Sequence, residues 1–218
     1  MTPVVDPTLS VERRLFRAGH AVVIGCDEVG RGAIAGPVAV GMTVIDQRRR
    51  RVPVGLRDSK MLSEAKRELL APVAAAWAVH SAVGLAGPEE VDAVGIIEAL
   101  GRAGARALAA LREAIDLSDA VVLLDGSHDW LTRQLDVAVT VMTRVKADQD
   151  CGSVAAASVL AKVHRDRMMI DAHESAPVYG WSGNKGYGSS AHYAAIAEHG
   201  PHAIHRHSWL REPALVES

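Results

Sequence analysis

Apolar positions fall in short blocks along the chain, and the spacing within each block indicates what it forms. Ser10 to Arg17 predicts a first helix, with Ser10 as its N-cap and Gly19 as its stop. Ala21 to Asp27 is apolar at successive positions, as in a strand covered on both faces, and it runs into the glycine-rich turn Gly30-Arg31-Gly32. Val38 to Ile45 predicts a second strand. A charged connection, Arg48-Arg49-Arg50-Arg51, follows; Ser63 and Glu64 then open a helix that Pro72 is expected to end or kink. Trp77 to Val83 reads as a third strand. Pro88, Glu89 and Glu90 suit the first turn of a long helix, in which Ile96, Leu100, Leu108, Leu111 and Ile115 recur at helical spacing. The run Val121 to Leu124 is too short and too β-branched for a helix, and it delivers Asp125-Gly126 at its end. Val137 to Met142 is another strand, and from Gly152 the residues Val154, Ala157, Leu160, Ala161 and Met168 mark a helix able to pack closely on a sheet. Strands grouped as a hairpin and then mixed with helices predict an α/β fold, a mixed central β-sheet flanked by helices.

Composition narrows the class. The chain has 218 residues, 49% hydrophobic and 23% charged, which excludes a disordered or collagen-like protein. With no internal repeat or low-complexity linker, residues 1–218 are expected to form one domain with a core from about 10 to 210. Two cysteines, Cys26 and Cys151, do not make a disulfide framework and suit a reducing compartment. The longest apolar stretch, Ala33 to Ile45, is shorter than the roughly 20 residues of a spanning helix and contains Gly36, Pro37 and Gly41. Asp6, Glu12, Arg13, Arg14 and Arg17 interrupt any signal-peptide core, so a cytoplasmic location and no membrane are expected. A net charge of −2 gives no global footprint for a polyanion, which moves attention to the local distribution of charge.

Locally, the strongest signal is Gly25-Cys26-Asp27-Glu28-Val29-Gly30-Arg31-Gly32, where two adjacent carboxylates emerge from a buried strand beside a flexible loop. Successive strand side chains point to opposite faces, so Glu28 is expected to share a site with Asp27 by leaving the regular strand, with Gly30 and Gly32 supplying the freedom. Asp125 ends a second apolar strand, and Asp148 precedes a helix, with Asp150 and Asp166 competing for the same role on spacing alone. Carboxylates gathered in one cleft repel and raise one another's pKa unless divalent cations neutralise them. Hard oxygen ligands without cysteine or histidine at zinc spacing point to Mg²⁺ or Mn²⁺. His199, His202, His205 and His207 fit no zinc pattern and read as surface or phosphate contacts. Lys162 and Arg165 read as phosphate contacts or a solvated helix face, the Arg48–Arg51 run as a solvated loop or a duplex contact, and Cys26 as a packed thiol facing away from Asp27.

The octet around Asp27 and Glu28 resembles the opening motif of prokaryotic ribonuclease HII. The similarity continues in family order through Asp58–Ser63, Leu124-Asp125-Gly126, Lys146-Ala147-Asp148, Ala155–Val163, Lys185–Gly188 and His205–Trp209, and so spans about 10 to 210. The resemblance implies an RNase H-like fold. It further implies an endonuclease that cuts the RNA strand of RNA/DNA hybrids and incises 5′ of single ribonucleotides in duplex DNA, leaving 5′-phosphate and 3′-hydroxyl ends. Asp27, Glu28, Asp125 and Asp148 match the family's four metal-binding carboxylates, which implies two Mg²⁺ or Mn²⁺ ions in the active complex. Gly30, Arg31 and Gly32 match the loop that reads the ribose 2′-hydroxyl, Tyr187 the tyrosine at the RNA–DNA junction, and Lys60 a lysine near the substrate phosphates. Asn184, Trp209 and Gly95 depart from the histidine, phenylalanine and asparagine of the family pattern, and the stretch from Asp125 to Asp148 is longer. The expected partner is nucleic acid and the expected state a monomer; Leu210 to Ser218 carries no clamp-binding motif. The related ribonuclease HIII needs an N-terminal domain for which the segment before Asp27 is too short, and DEDD exonucleases place their first acids as Asp-x-Glu. The alternative from a different class is a non-catalytic RNA/DNA-hybrid-binding module whose acids are structural.

Overall fold

Strand β1 (Val22–Val29) pairs antiparallel with β2 (Val38–Asp46) along its full length in the computed structural model, which describes residues 6–210. β2 pairs antiparallel with β3 (His80–Ala86), while β1 pairs parallel with β4 (Ala120–Asp125) and β4 parallel with β5 (Thr140–Arg144). The resulting five-stranded mixed sheet has the order β3-β2-β1-β4-β5, so β1 and β4 lie at its centre. Their near-continuous apolar character follows from being covered on both faces. Ile24, Cys26, Val122 and Leu124 pack on one side with Leu100, Ala103 and Leu108 of α4 (Ile96–Arg112). Val23, Val121 and Leu123 pack on the other with Leu15 and Phe16 of α1 (Ser10–Arg17) and Val154 of α6 (Gly152–Ser175). The alanine-rich start of α6 lies directly on β1, where a Cβ on Gly25 would come within 2.2 Å of the Ser153 backbone.

Several boundaries differ from the sequence expectation for identifiable reasons. Leu9, not Ser10, is the N-cap of α1, and it makes no side-chain cap bond. Pro72 does not end α2 (Glu64–Trp77), because Ala71 and Ala74 are buried against the Ala155, Ala156 and Val159 face of α6 and hold the helix through the proline. Trp77 is the last residue of α2 rather than the start of a strand, its indole N–H donating to the Arg51 carbonyl at 2.9 Å. The long helix is two: α3 (Pro88–Val94) and α4 meet at Gly95, whose φ of 79° only glycine adopts freely. β5 begins at Thr140 rather than Val137 because the ladder opposite β4 starts with Val121 facing Thr140. Three further helices have no separate counterpart in the sequence pattern: α5 (Ala147–Asp150), α7 (Trp181–Asn184) and α8 (Ser190–His199).

Candidate active site

The parallel ladder between β1 and β4 ends at the pair Cys26 and Leu124, so the next residues along the two strands are Asp27 and Asp125. Two carboxylates therefore stand where the parallel pairing of the central strands stops, toward their carboxyl ends, where open α/β sheets present their sites. Contrary to the expectation of an early departure from the strand, β1 stays paired with β2 through Glu28 and Val29, with Asp27 opposite Gly41 and Glu28 opposite Val40. Glu28 thus lies on the other face from Asp27, yet both stand at an edge that β4 has already left. Their charges remain coupled there: Asp125 raises the pKa of both carboxyls.

Asp125 also fixes the third acid. Its Oδ1 accepts hydrogen bonds from the Ala147 amide at 2.7 Å and the Asp148 amide at 3.4 Å, which ties the start of α5 to the end of β4. The long connection between Asp125 and Asp148 therefore closes on the carboxylate. Asp150 instead pairs with Arg144 at 2.5 Å, and Asp166 with Lys162 at 2.6 Å and Arg67 at 3.5 Å. The fold brings Asp148, not these rivals, to Asp125. Lys60 completes the group, its Nζ 3.5 Å from Asp148 Oδ2. Asp58, which sequence reasoning did not single out, is buried beside Asp148 and accepts from the Lys60 amide at 3.0 Å.

Burial and mutual repulsion dominate the electrostatics. Asp27 is 2% exposed; its Oδ1 accepts from the Glu28 amide at 2.9 Å, while its Oδ2 has no hydrogen-bond partner. Burial, then the Glu28 and Asp125 charges, hold its carboxyl well above the ordinary range, with Lys60 pulling the other way. Burial also raises Glu28, against the pull of Arg31 3.7 Å away. Burial, followed by Asp125 and Asp58, pushes Asp148 up to about 6. A buried carboxylate oxygen without a donor, among further carboxylates, fits a hard divalent cation. Among the described residues no three histidine, cysteine or acidic side chains come close enough together to form a ligand set by themselves. Cys26 faces the opposite core, and burial pushes its thiol up, as expected of a packed side chain.

The glycine-rich loop is held from beneath by two buried arginines. Arg206 donates to the carbonyls of Gly30 at 2.7 Å, Arg31 at 3.1 Å and Gly36 at 3.2 Å. Arg165 donates to Pro37 at 2.8 Å, Ala35 at 3.0 Å and Lys185 at 2.8 Å. Arg165 is thus neither a phosphate contact nor part of a solvated face, and Lys162 is engaged with Asp166. Only Gly30 of the two loop glycines has a positive φ, and a Cβ there would lie 2.1 Å from Arg165 Nε; at Gly32 a Cβ would meet nothing within 4 Å. The missing side chain of Gly32 therefore leaves room outward, toward an incoming molecule.

Tyr187 is joined to this loop through the backbone. The Ile34 and Ala35 amides donate to the Gly186 carbonyl at 2.9 and 3.1 Å, and the Tyr187 ring, 38% exposed, lies 5.5 Å from the Arg165 guanidinium. Asn184 shapes the turn, accepting from the Gly186 amide at 2.8 Å and donating to the Tyr179 carbonyl at 2.7 Å. His192 Nδ1 lies 2.9 Å from the Tyr187 carbonyl, and its Nε2 is 3.1 Å from the Trp181 indole N–H and 3.0 Å from His205 Nε2. His205 is fully buried, and burial lowers it to about 4, so it is a neutral core residue rather than a surface or phosphate contact. Arg206 and His192 are supporting residues that sequence reasoning missed, the His205–Trp209 motif being the only trace of Arg206, and His205 is one that it misread.

A family model described as ribonuclease HII matches residues 24–212 of this chain. Ribonuclease HII of Streptomyces avermitilis is 45% identical over 216 residues, 99% of this chain and 88% of that protein. Ribonuclease HII of Paracoccus denitrificans is 41% identical over 206 residues, 93% of this chain and 91% of that one. Among solved structures, ribonuclease H2 from Pyrococcus horikoshii is 27% identical with a TM-score of 0.65, covering 86% of this chain and 93% of its own. RNase HII in a complex with PCNA from Archaeoglobus fulgidus is 28% identical with a TM-score of 0.69, covering 89% and 98%. The matched span takes in the sheet, the carboxylates and the loop beside them, and with this identity and coverage the chain belongs to the ribonuclease HII family.

Proposed function

We propose that this protein hydrolyses the RNA strand of RNA/DNA hybrids and incises duplex DNA 5′ of single embedded ribonucleotides, with two Mg²⁺ or Mn²⁺ ions held by Asp27, Glu28, Asp125 and Asp148. The observation that carries this reading is the meeting of Asp27 and Asp125 where the parallel pairing of β1 and β4 stops, with Asp148 tied to Asp125 and an unpartnered oxygen on Asp27. Bound there, divalent cations supply the activation of an attacking water and the stabilisation of a leaving 3′-oxygen. Every acid in the cluster then acts as an anchor, and the chain needs no nucleophile of its own. Asp125 keeps its orientation because two backbone amides occupy its Oδ1. Lys60, exposed and beside Asp148, is placed to meet a substrate phosphate.

Selectivity for ribose rests on the loop. With the carbonyls of Gly30 and Arg31 taken by Arg206, the loop is rigid before substrate arrives, which is what reading one 2′-hydroxyl by backbone groups requires. Tyr187 offers its exposed ring to the sugar next to the ribonucleotide, seated on Arg165. The products are a 3′-hydroxyl upstream and a 5′-phosphate on the ribonucleotide. No helix among the described residues is long and apolar enough to cross a membrane. The reading includes a single-domain, monomeric enzyme of the cytoplasm; Cys26 and Cys151 are free and buried. The test is incubation of a uniform RNA/DNA hybrid and of a duplex with one ribonucleotide, each with Mg²⁺ or Mn²⁺ and with EDTA. Cleavage of both substrates that depends on the metal supports the reading. Cleavage in EDTA, or binding with no cleavage under any condition, overturns it.

A further inference from the structure

A second charged feature lies away from the carboxylates. A groove of about 880 Å³ between α1 and the β2–α2 connection is lined by Arg13, Arg14, Arg17, Arg49 and Arg50, with Phe16 in its wall. It sits at the opposite end of the sheet from the acids: Val22 pairs with Asp46 there, whereas Asp27 pairs with Gly41. Five residues of β1 at about 3.3 Å each separate the two places by on the order of 17 Å.

What distinguishes these arginines is how they are held. Most other surface arginines meet carboxylates, as Arg48 does Asp46, Arg106 does Glu90, Arg112 does Asp136 and Arg144 does Asp150. Among the described residues, none of the five groove arginines has an acidic partner within salt-bridge distance. Backbone carbonyls position three of them instead: Arg13 donates to Arg50 at 2.7 Å, Arg17 to Arg13 at 3.2 Å, and Arg49 to Ala78 at 3.2 Å. Carbonyl anchoring fixes a guanidinium without cancelling its charge, so three of the five groove cations are held without a carboxylate in direct contact. Arg13 and Arg17 stand one helical turn apart on α1, which suits a row of successive anions better than a single one. The use of arginine throughout suits phosphate oxygens, which its fork meets two at a time.

We propose that this groove binds the phosphate backbone of nucleic acid flanking the cleaved position, as a second contact separate from the carboxylate cleft. The inference rests on the nucleic-acid reading above. The experiment compares the wild type with the triple variant Arg14→Ala/Arg17→Ala/Arg50→Ala and with Arg133→Ala, which removes one exposed arginine elsewhere. Affinity for a duplex of about 30 base pairs with one ribonucleotide is followed by fluorescence anisotropy in EDTA, from about 0.05 to 0.3 M salt. The slope of log affinity against log salt should shrink by about 2.7 in the triple variant, about 0.9 for each phosphate that is no longer neutralised, with affinity at 0.1 M salt falling at least about tenfold. Arg133→Ala should follow the wild type. A triple variant that binds with wild-type affinity and slope overturns the proposal, including the case in which the groove takes an acidic peptide. If alanine lowers the melting temperature, the corresponding glutamine variant carries the same comparison. Cleavage of the same duplex by the wild type in Mg²⁺ is measured alongside. A wild type that neither binds nor cuts refutes the nucleic-acid reading itself, whereas one that cuts beside an unaffected variant refutes only the groove.

Discussion

Asp27→Asn should make the protein more stable and less active at once. The substitution keeps the shape and the oxygen that accepts from the Glu28 amide, and it removes a buried charge that has no donor on its second oxygen and two carboxylates as neighbours. Leaving a buried polar or charged group unsatisfied costs about 1–3 kcal/mol or more, and each kcal/mol moves the melting temperature of a chain this size by about 2–4 °C. The variant is therefore expected to melt about 2–12 °C above the wild type in EDTA at pH 8. The sign with pH follows from a folded-state pKa above the unfolded one. The folded protein holds the proton more readily, so the penalty is full above the folded pKa and fades as pH falls through it. The gain should accordingly shrink at pH 5. In Mg²⁺ the order narrows or reverses, because a cation stabilises the wild type by mass action and the variant less. Differential scanning calorimetry at the two pH values, with and without metal, reads each of these, and a cleavage assay should show a loss well over tenfold. A variant that melts below the wild type in EDTA at pH 8, or that cleaves normally, refutes the reasoning.

The other predictions concern the supports of the site. Mn²⁺ affinity, measured by calorimetric titration, should rise from pH 5 to pH 7.5 with release of protons, since Asp148 sits at about 6 and Asp27 above its usual range; a pH-independent affinity would remove the acids from the metal site. Arg206→Ala should lower stability by about 2–4 kcal/mol in urea unfolding by leaving the Gly30, Arg31 and Gly36 carbonyls without their donor, and Arg206→Lys should not restore it because an ammonium cannot span all three. An unchanged unfolding midpoint would mean the loop holds itself. Tyr187→Ala should lose more cleavage on a single embedded ribonucleotide than on a uniform hybrid, with the melting temperature unchanged because the ring is exposed. Equal losses with a lowered melting temperature would reduce Tyr187 to a packing role.

The centre of the sheet is legible in the sequence because β1, β2 and β4 are buried on both faces, which leaves a run of apolar residues that little else produces. β5 is harder: its residues are exposed or half-buried, so its pattern does not stand out from the irregular Val137 and Val139 before it. Trp77 misleads through its strand propensity, when a single indole hydrogen bond and its place at the end of α2 decide its conformation. At the site, Asp27 and Asp125 are visible as charges that end apolar strands. Asp148 is not separable from Asp150 and Asp166 by spacing, because its distinction is a contact with Asp125 across the long connection. Arg165 and Arg206 are the least legible, since they pair with backbone carbonyls that leave no side-chain signature, most of them more than a hundred residues away. A cation buried without an acid looks, in sequence, like any surface arginine.

The central claim is that the carboxylate cluster directs water-mediated cleavage at the 5′ side of a ribonucleotide. Mapping the nick on an end-labelled duplex with one ribonucleotide, in Mg²⁺, tests it most directly. The account predicts a single cut immediately 5′ of the ribonucleotide, a free 3′-hydroxyl upstream that a polymerase extends, and a 5′-phosphate on the ribonucleotide. An intact duplex bound by folded protein would identify a hybrid-binding module instead. A cut on the 3′ side that leaves a 2′,3′-cyclic phosphate would mean that the ribose hydroxyl, not water, is the nucleophile, and would contradict the account.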